Sequence, residues 1–265
     1  MKTVSIFNIK GGVAKTISTI NIGAVLQEQG KRVLILDIDP QGNSSKLLNN
    51  RRIREGRKYI SKECYSLQEK TINDILLDEK ADIEELIKHT DYKGLDIITS
   101  NADLEFTEKT ILNDKNRDQI NILKSALKKV DKKYDYCIID CPPNLNIVTV
   151  NALMASNDLI IPLKIDQMSI DGIGNLLGRV KEITDDLNGK VEFKGCFVTM
   201  DKPRTRVNKL VKELLKDMLG DKLLDTCIND SPKVIESTFE QRPVVFYAKK
   251  SAPSLQYRNL VKELF

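Results

Sequence analysis

The sequence predicts an α/β fold in which a mostly parallel, twisted sheet carries helices on both of its faces. Segments with strand-like and helix-like patterns alternate along the chain, which favours parallel strands joined by helical crossovers. Val33–Asp37 (VLILD) and Tyr136–Asp140 (YCIID) are almost entirely apolar, as expected of strands covered on both sides. A glycine-containing turn also separates an apolar strand at the start of the chain from a helical segment.

Length and composition set limits on the class of protein. The chain has 265 residues, of which 41% are hydrophobic and 30% charged, so we expect residues 1–265 to form a single domain. No apolar run approaches the ~18 residues that span a bilayer, and Met1 and Lys2 lead directly into the first strand. We therefore expect a cytoplasmic protein without a signal peptide. The net charge of +4 permits nucleic-acid binding without requiring it.

The pattern assigns the elements in order along the chain. Expected strands are Val4–Ile9, Val33–Asp37, Gly94–Thr99, Tyr136–Asp140, Leu159–Leu163, Phe193–Met200, Thr226–Ile228 and Val244–Phe246. Expected helices are Thr16–Gln29, Thr71–Leu77, Ile83–Lys88, 116–130, a helix that begins at Asn151–Ala155, a helix capped by Ser169 or Asp171 after the strand Leu159–Leu163, a helix through 207–218 and Leu255–Phe265. The apolar stripe of the helix through 207–218 (Val207, Leu210, Val211, Leu214, Leu215 and Met218) is interpreted as core. The basic segment 49–62 is expected to be a solvated loop, with a DNA-facing surface as the alternative.

The segment Ile6–Thr16 (IFNIKGGVAKT) has the layout of a phosphate-binding loop. Glycines allow backbone N–H groups to turn towards an anion, and the start of the following helix presents further N–H groups to it. Lys15 supplies a charge for the β- and γ-phosphates, and the Thr16 hydroxyl can ligate Mg²⁺. The fold class is therefore of the P-loop NTPase type. The predicted nucleotide-binding residues are Lys10, Gly11, Gly12, Val13, Ala14, Lys15, Thr16 and Ile17.

The loop departs from the general pattern G-x-x-x-x-G-K-[ST]. Ile9 and Ala14 occupy the two glycine positions, and Lys10 precedes the pair Gly11-Gly12. If position 14 requires a positive φ or a close approach to phosphate, the methyl group of Ala14 weakens binding.

Two strands end in acidic residues that can serve the same site. Val33–Asp37 continues into Asp39 and a Pro-Gly loop, and Tyr136–Asp140 ends in a carboxylate, as in a Walker B strand. Ligands of open α/β sheets bind at the carboxyl ends of strands, so these carboxylates are expected beside the loop.

The motifs together resemble the ParA/MinD family of deviant Walker A ATPases, and within it the ParA/Soj-type partition proteins. They are K-G-G-V-A-K-T (10–16), D-I-D-P-Q-G-N (37–43), the turn and strand at Gly94–Thr99, N-A-D-L-E (101–105), D-C-P-P (140–143), V-N-A-L (150–153), D-K-P-R-T-R (201–206) and P-V-V-F-Y (243–247). The resemblance implies ATP and Mg²⁺ as cofactors and an ATP-dependent sandwich homodimer, in which Lys10 reaches the nucleotide of the partner protomer.

The same resemblance implies roles for single residues. Lys10, Lys15 and Asp39 are the expected catalytic residues, with Asp39 positioning or activating the attacking water and Asp37 ending its strand structurally. Thr16, Asp39 and Asp140 are the expected metal-site residues. Departures occur at Asn144 and Asn146, where the family has Ser and Gly, and at 228–231, where the family often has I-P-R-N; no adenine contact is carried over.

The family binds non-specific DNA through basic residues in its C-terminal third. Matching candidates here are Lys233, Arg242, Lys249, Lys250 and Arg258. By the same resemblance, a ParB-like centromere-binding protein stimulates hydrolysis, and the protein associates with the nucleoid in the cytoplasm without contacting a membrane.

Three alternatives stay open. A MinD-like membrane-associated positioning ATPase needs a basic amphipathic C-terminal helix, whereas Leu255–Phe265 is better explained as a helix packed on the sheet. An iron–sulfur protein needs paired cysteines, and the five cysteines (Cys64, Cys137, Cys141, Cys196 and Cys227) include no C-x-x-C. A nucleotide-binding switch with little turnover is compatible with Ala14.

Overall fold

The computed structural model describes residues 1–49, 52–55, 58–61 and 69–265. The strands are β1 Lys2–Ile6, β2 Val33–Asp37, β3 Arg52–Glu55, β4 Lys58–Ser61, β5 Ile87–His89, β6 Leu95–Ile98, β7 Tyr136–Asp140, β8 Asp158–Lys164 and β9 Glu192–Thr199. The helices are α1 Lys15–Glu28, α2 Asn43–Asn49, α3 Ile72–Leu77, α4 Leu104–Asn113, α5 Ile122–Lys129, α6 Ile147–Ala155, α7 Gln167–Asp186, α8 Arg206–Leu219, α9 Pro232–Phe239, α10 Val244–Tyr247 and α11 Ala252–Leu264. Short 3₁₀ turns occur at Ile83–Leu86 and Gly220–Lys222.

Seven of these strands form one sheet in the order β5-β6-β2-β7-β1-β8-β9. All neighbouring pairs in this sheet are parallel except β5 and β6, which confirms the predicted mostly parallel sheet. β3 and β4 pair separately as an antiparallel hairpin. In the centre of the main sheet Asp140 lies in register with both Asp37 and Ile6, so the carboxyl ends of β2, β7 and β1 meet.

Two apolar layers cover the sheet, as the continuous apolar strands predicted. On one face, Cys137 and Ile139 of β7 pack with apolar side chains of α3 to α8. On the other face, Ile138 packs with side chains of α1, α10 and α11. Helices therefore lie on both faces, and the strand ends between them are left to hold polar groups.

Two predicted elements have the wrong type. The expected helix Ile83–Lys88 is a single 3₁₀ turn followed by β5, because Asp82 caps only one turn before Lys88 pairs with Ile97 of β6. The expected strand Val244–Phe246 is α10: the carbonyl of Pro243 accepts hydrogen bonds from the backbone N–H groups of Phe246 (3.0 Å) and Tyr247 (2.9 Å).

The expected strand Thr226–Ile228 is also wrong in detail. The segment runs beside the edge strand β9, where the Ile228 N–H donates to the Val198 carbonyl at 2.8 Å. It makes isolated bridges, Cys196 with Leu223 and Asp201 with Asn229, rather than a continuous ladder. The first strand ends at Ile6 instead of Ile9, and the helices α2, α4 and α9 were not predicted.

The interpretation of the whole α8 stripe as core is wrong. Val211 and Leu215 are buried, but Val207, Leu210, Leu214 and Met218 are between 42% and 64% exposed. α8 follows the edge strand β9, so only one side of the helix has the rest of the domain to pack against.

The C-terminal helix packs on the domain, as predicted. Tyr257, Leu260, Val261 and Leu264 of α11 are buried against α1 and α10, and the Tyr257 hydroxyl lies 3.2 Å from the Ser18 hydroxyl. Among the described residues, no helix has both the length and the apolar content needed to cross a membrane. The basic segment 49–62 was expected to be a loop, but its described residues Arg52–Glu55 and Lys58–Ser61 form the hairpin of β3 and β4. Residues 50–51, 56–57 and 62 lie outside the described residues, and so does Cys64.

Candidate functional site

The loop between β1 and α1 is attached to the ends of two neighbouring strands. The Asn8 side chain accepts a hydrogen bond from the Lys10 N–H (2.9 Å) and donates one to the Pro162 carbonyl of β8 (2.9 Å). The Thr199 hydroxyl, at the end of β9, lies 3.1 Å from the Val13 carbonyl, to which it donates. These contacts fix the backbone of the loop, and sequence reasoning did not identify Asn8 or Thr199.

Two residues of the loop have left-handed backbone conformations. Gly12 has φ 70°, and Ala14, the N-cap of α1, has φ 63° and ψ 32°. Position 14 therefore does have a positive φ, at a residue that carries a Cβ. This conformation costs a non-glycine residue about 1–2 kcal/mol. The turn directs the chain into α1, whose first N–H groups are available to an anion.

Lys15 is almost fully buried at the start of α1, with 7% of its surface exposed. Its ammonium donates a hydrogen bond to the Lys10 carbonyl at 3.0 Å. Burial lowers the pKa of Lys15, while the nearby Asp140, Cys141 and Asp39 act in the opposite direction. A cation held this way is stabilised by additional negative charge, which a phosphate would supply.

Asp37 and Asp140 lie side by side at the ends of β2 and β7, and both are fully buried. Burial raises the pKa of Asp37 to about 6, although hydrogen bonds from Ser45 and Asp39 act against it. Burial, reinforced by the charge of Asp37, raises the pKa of Asp140 to about 8. Two adjacent buried carboxylates thus resist ionisation until a cation compensates them.

Two consecutive serines at the start of α2 anchor these carboxylates. The Ser44 hydroxyl donates to Asp140 Oδ2 at 2.7 Å, and the Ser45 hydroxyl and N–H donate to Asp37 Oδ2 at 2.7 and 2.8 Å. The Ser45 oxygen also accepts from the Ser100 N–H at 2.9 Å. Sequence reasoning missed both serines; their position directly after D-I-D-P-Q-G-N was the available signal.

Asp39 lies in the loop between β2 and α2 and is 8% exposed. Its N–H donates to Asp37 Oδ1 at 3.1 Å, and its own Oδ1 accepts from the Gln41 N–H at 2.9 Å. Asp39 also contributes to the electrostatic environment of Lys15 and Asp140. The structure therefore brings Lys15, Asp39 and Asp140 together, as predicted.

The oxygen atoms beside Asp140 suit a magnesium ion. Asp140 Oδ1 is buried without a hydrogen-bond partner, and the Thr16 hydroxyl hydrogen-bonds to the same carboxylate. Hard oxygen donors of this kind match Mg²⁺, which retains waters and takes its other ligands from phosphate groups. Across residues 1–49, 52–55, 58–61 and 69–265, no group of three or more His, Cys, Asp or Glu side chains could hold a metal by itself.

The side chain of Lys10 pairs with a carboxylate of its own chain. Its ammonium forms an ion pair with Asp166, a residue between β8 and α7. Both side chains are partly exposed, Lys10 at 29% and Asp166 at 38%. Asp166 was not singled out from the sequence, because its proximity to Lys10 depends on how β8 lies beside β1.

The five predicted DNA-binding residues lie on or between α9, α10 and α11. Lys233, Arg242, Lys249 and Lys250 are exposed, and Lys233 pairs with Glu236 (2.6 Å). Arg258 is different: it pairs with Glu28 (2.9 Å) and donates to the carbonyls of Lys249, Val245 and Ser254. Its guanidinium therefore links α11 to α1 and to the segment from α10 to Lys249 that precedes α11.

Comparison with known proteins agrees with this geometry. The AAA_31 family, described as an AAA domain, matches residues 1–193. The chain is 35% identical over 263 residues to the sporulation initiation inhibitor protein Soj of Bacillus subtilis, covering 99% of this chain and 98% of Soj. It is 32% identical over 266 residues to the chromosome partitioning protein ParA of Caulobacter vibrioides, covering 100% of this chain and 94% of ParA.

Solved structures show the same fold. The structure of cobyrinic acid a,c-diamide synthase from Mycobacterium smegmatis with ADP and magnesium has a TM-score of 0.79 and 28% identity, covering 99% of this chain and 93% of that chain. The phosphate-binding loop, the paired strand-end carboxylates and the full-length similarity to Soj and ParA lead to one assignment. The chain belongs to the ParA/Soj-type partition ATPases of the ParA/MinD family.

Proposed function

We propose that this chain hydrolyses ATP and uses the nucleotide to control its binding to DNA during the segregation of a replicon. The observation that carries the proposal is the buried Lys15, which follows the left-handed Ala14 and lies near Asp140, the carboxylate beside Asp37. This arrangement supplies a cation for phosphate and oxygen ligands for its metal. The name of the relative ParA, a chromosome partitioning protein, supports the link to partition.

The residues of the chain act as follows. The loop N–H groups and Lys15 bind the phosphates, and Thr16 and Asp140 hold the Mg²⁺ that neutralises their charge. Asp39 orients the attacking water from the loop before α2. Because phosphoryl transfer depends mainly on positioning and charge stabilisation, hydrolysis by the chain alone is slow.

ATP also joins two protomers into a sandwich dimer, in which Lys10 of each protomer reaches the nucleotide of the other. Dimerisation places two sets of exposed basic residues on one DNA molecule, with Lys249 and Lys250 between α10 and α11 as the leading candidates. Doubling the phosphate contacts strengthens non-specific binding and steepens its salt dependence. A ParB-like partner stimulates hydrolysis and releases the dimer from the nucleoid in the cytoplasm.

The test measures binding to a non-specific duplex with ATP, with ADP and without nucleotide, across a salt series. We expect tight binding only with ATP, and a weaker slope of log K against log salt in the other two conditions. Lys15→Ala removes the phosphate cation and should abolish the ATP effect, while Glu84→Gln, at a surface ion pair with Lys133, serves as the control. Equal affinity in all three conditions would reject the switch.

Turnover separates an ATPase from a binding-only switch. Asp39→Ala should eliminate phosphate release while ATP binding persists, because Asp39 acts on the water rather than on the phosphates. Intact turnover in Asp39→Ala shows that another residue positions the water.

The membrane-associated alternative is disfavoured because the apolar residues Leu260, Val261 and Leu264 of α11 are already buried in the domain. ATP-dependent vesicle binding would support that alternative.

A further inference from the structure

The loop that carries Lys10 is held by two kinds of contact. Its backbone is fixed by the Asn8 side chain, which donates to the Pro162 carbonyl of β8, and by Thr199 at the end of β9, whose hydroxyl donates to the Val13 carbonyl. The ammonium of Lys10 is held separately, by the carboxylate of Asp166 just beyond the end of β8. The ion pair of the Lys10 ammonium is therefore distinct from the contacts that hold the backbone of the loop.

The position of Asp166 determines where the ammonium of Lys10 lies in a single protomer. An ammonium paired in its own protomer is not available to phosphates across an interface, because the Asp166 carboxylate and those phosphates compete for the same ammonium. We propose that Asp166 is a positioning residue that retains Lys10 in the monomer and thereby sets the threshold for nucleotide-dependent dimerisation. This inference rests on the proposed function, in which Lys10 reaches the partner's nucleotide.

The exposure of the pair sets the size of the effect. Because Lys10 and Asp166 are about one-third exposed, their ion pair belongs to the weak, solvent-screened class. Breaking such a pair changes an equilibrium constant by about 1.4- to 5-fold. A symmetric dimer breaks two pairs, so the dissociation constant of the dimer should change by about 2- to 30-fold. A change of this size weakens dimerisation without preventing it.

The experiment measures the dimer dissociation constant by sedimentation with Mg²⁺ and a non-hydrolysable ATP analogue, at ~0.1 M salt. Asp166→Asn preserves the shape of the side chain and removes its charge, and it should tighten the dimer by about 2- to 30-fold. Asp166→Glu should restore wild-type behaviour. Glu84→Gln breaks the ion pair with Lys133, which precedes the amino end of β7 at the opposite end of the sheet, and should have no effect.

A double-mutant cycle with Lys10→Ala separates retention of Lys10 from any other role of Asp166. In the Lys10→Ala background, Asp166→Asn should leave the dimer dissociation constant unchanged, because no ammonium remains to be released. The tightening of the dimer by Asp166→Asn should also be smaller at high salt, where the Lys10–Asp166 pair of the wild type is already screened.

The outcomes separate this inference from the proposed function. A wild-type chain that stays monomeric with the analogue overturns both. If the wild type dimerises but Asp166→Asn is unchanged or weaker, the retention role of Asp166 is wrong and the proposed function stands. If Asp166→Asn tightens the dimer equally in the Lys10→Ala background, the inference is also overturned.

Discussion

Replacing Ala14 by glycine should stabilise the protein, which is the opposite of the usual effect of an alanine-to-glycine change in a helix interior. Ala14 has φ 63° and ψ 32°, a left-handed conformation that costs alanine about 1–2 kcal/mol. Glycine avoids that cost but adds about 0.4–1 kcal/mol of unfolded-chain entropy. The difference predicts a gain of roughly 0.8 kcal/mol for Ala14→Gly.

The expected gain can be measured by thermal unfolding without nucleotide. For a domain of this size, each kcal/mol corresponds to about 2–4 °C in Tm, so Ala14→Gly should unfold about 2–3 °C higher. If the methyl group also obstructs phosphate, the same variant should bind ATP more tightly in a titration performed on the same sample.

Two matched variants isolate the conformational cause. Ala252→Gly, at the exposed first residue of α11, makes the same chemical change at an N-cap-adjacent helical position and should lower Tm. Gly12→Ala introduces a methyl group into open space at φ 70° and should also be destabilising. A Tm of Ala14→Gly at or below that of the wild type would refute the reasoning.

Three further predictions concern the buried carboxylates and Arg258. Because the pKa of Asp140 is raised to about 8, the magnesium-free folded state binds more protons than the unfolded state between about pH 4 and pH 8, so its free energy of unfolding should fall as pH rises. In urea unfolding measured at a series of pH values, Asp140→Asn should flatten this pH dependence between about pH 6 and pH 8. Ser45→Ala removes a buried donor to Asp37 and should cost about 1–3 kcal/mol in the same assay. Arg258→Ala breaks the pair with Glu28 and should cost about 1–2 kcal/mol.

Each of these predictions has a contradicting result. An unchanged pH slope in Asp140→Asn would assign the titration to another group. A Ser45→Ala protein as stable as the wild type would mean that the Ser45 N–H alone satisfies Asp37. For Arg258→Ala, a loss of DNA affinity with no loss of stability would favour the predicted DNA contact over the structural role.

Much of the site could be predicted because its residues are close in sequence. A strand, a Gly-containing turn and Lys15-Thr16 at a helix start determine a phosphate-binding loop by local geometry. Asp140 at the end of an apolar strand was identified by the same kind of local pattern. The resemblance to a family added the expected role of Lys10, which no local pattern gives.

Other features depended on contacts between distant residues. Val244–Phe246 has strand propensity, but Pro243 and burial of both valines against α1 produce a helix there. The α8 stripe has helical spacing, yet its position beside the edge strand β9 leaves four of its six apolar residues exposed. Local periodicity predicts which face of an element is apolar, and not whether another element covers it.

The sequence by itself determined the alternation of strands and helices, the phosphate-binding loop and the two acidic strand ends, because each is encoded within a few consecutive residues. The tertiary structure decided the left-handed conformation of Ala14, the anchoring of Asp37 and Asp140 by two serines, and the pairing of Lys10 with Asp166. Ser44 reaches Asp140, and Lys10 reaches Asp166, only because strands distant in sequence become neighbours in the sheet. Ser45 is close to Asp37 in sequence, but its contact depends on how α2 folds back onto the end of β2.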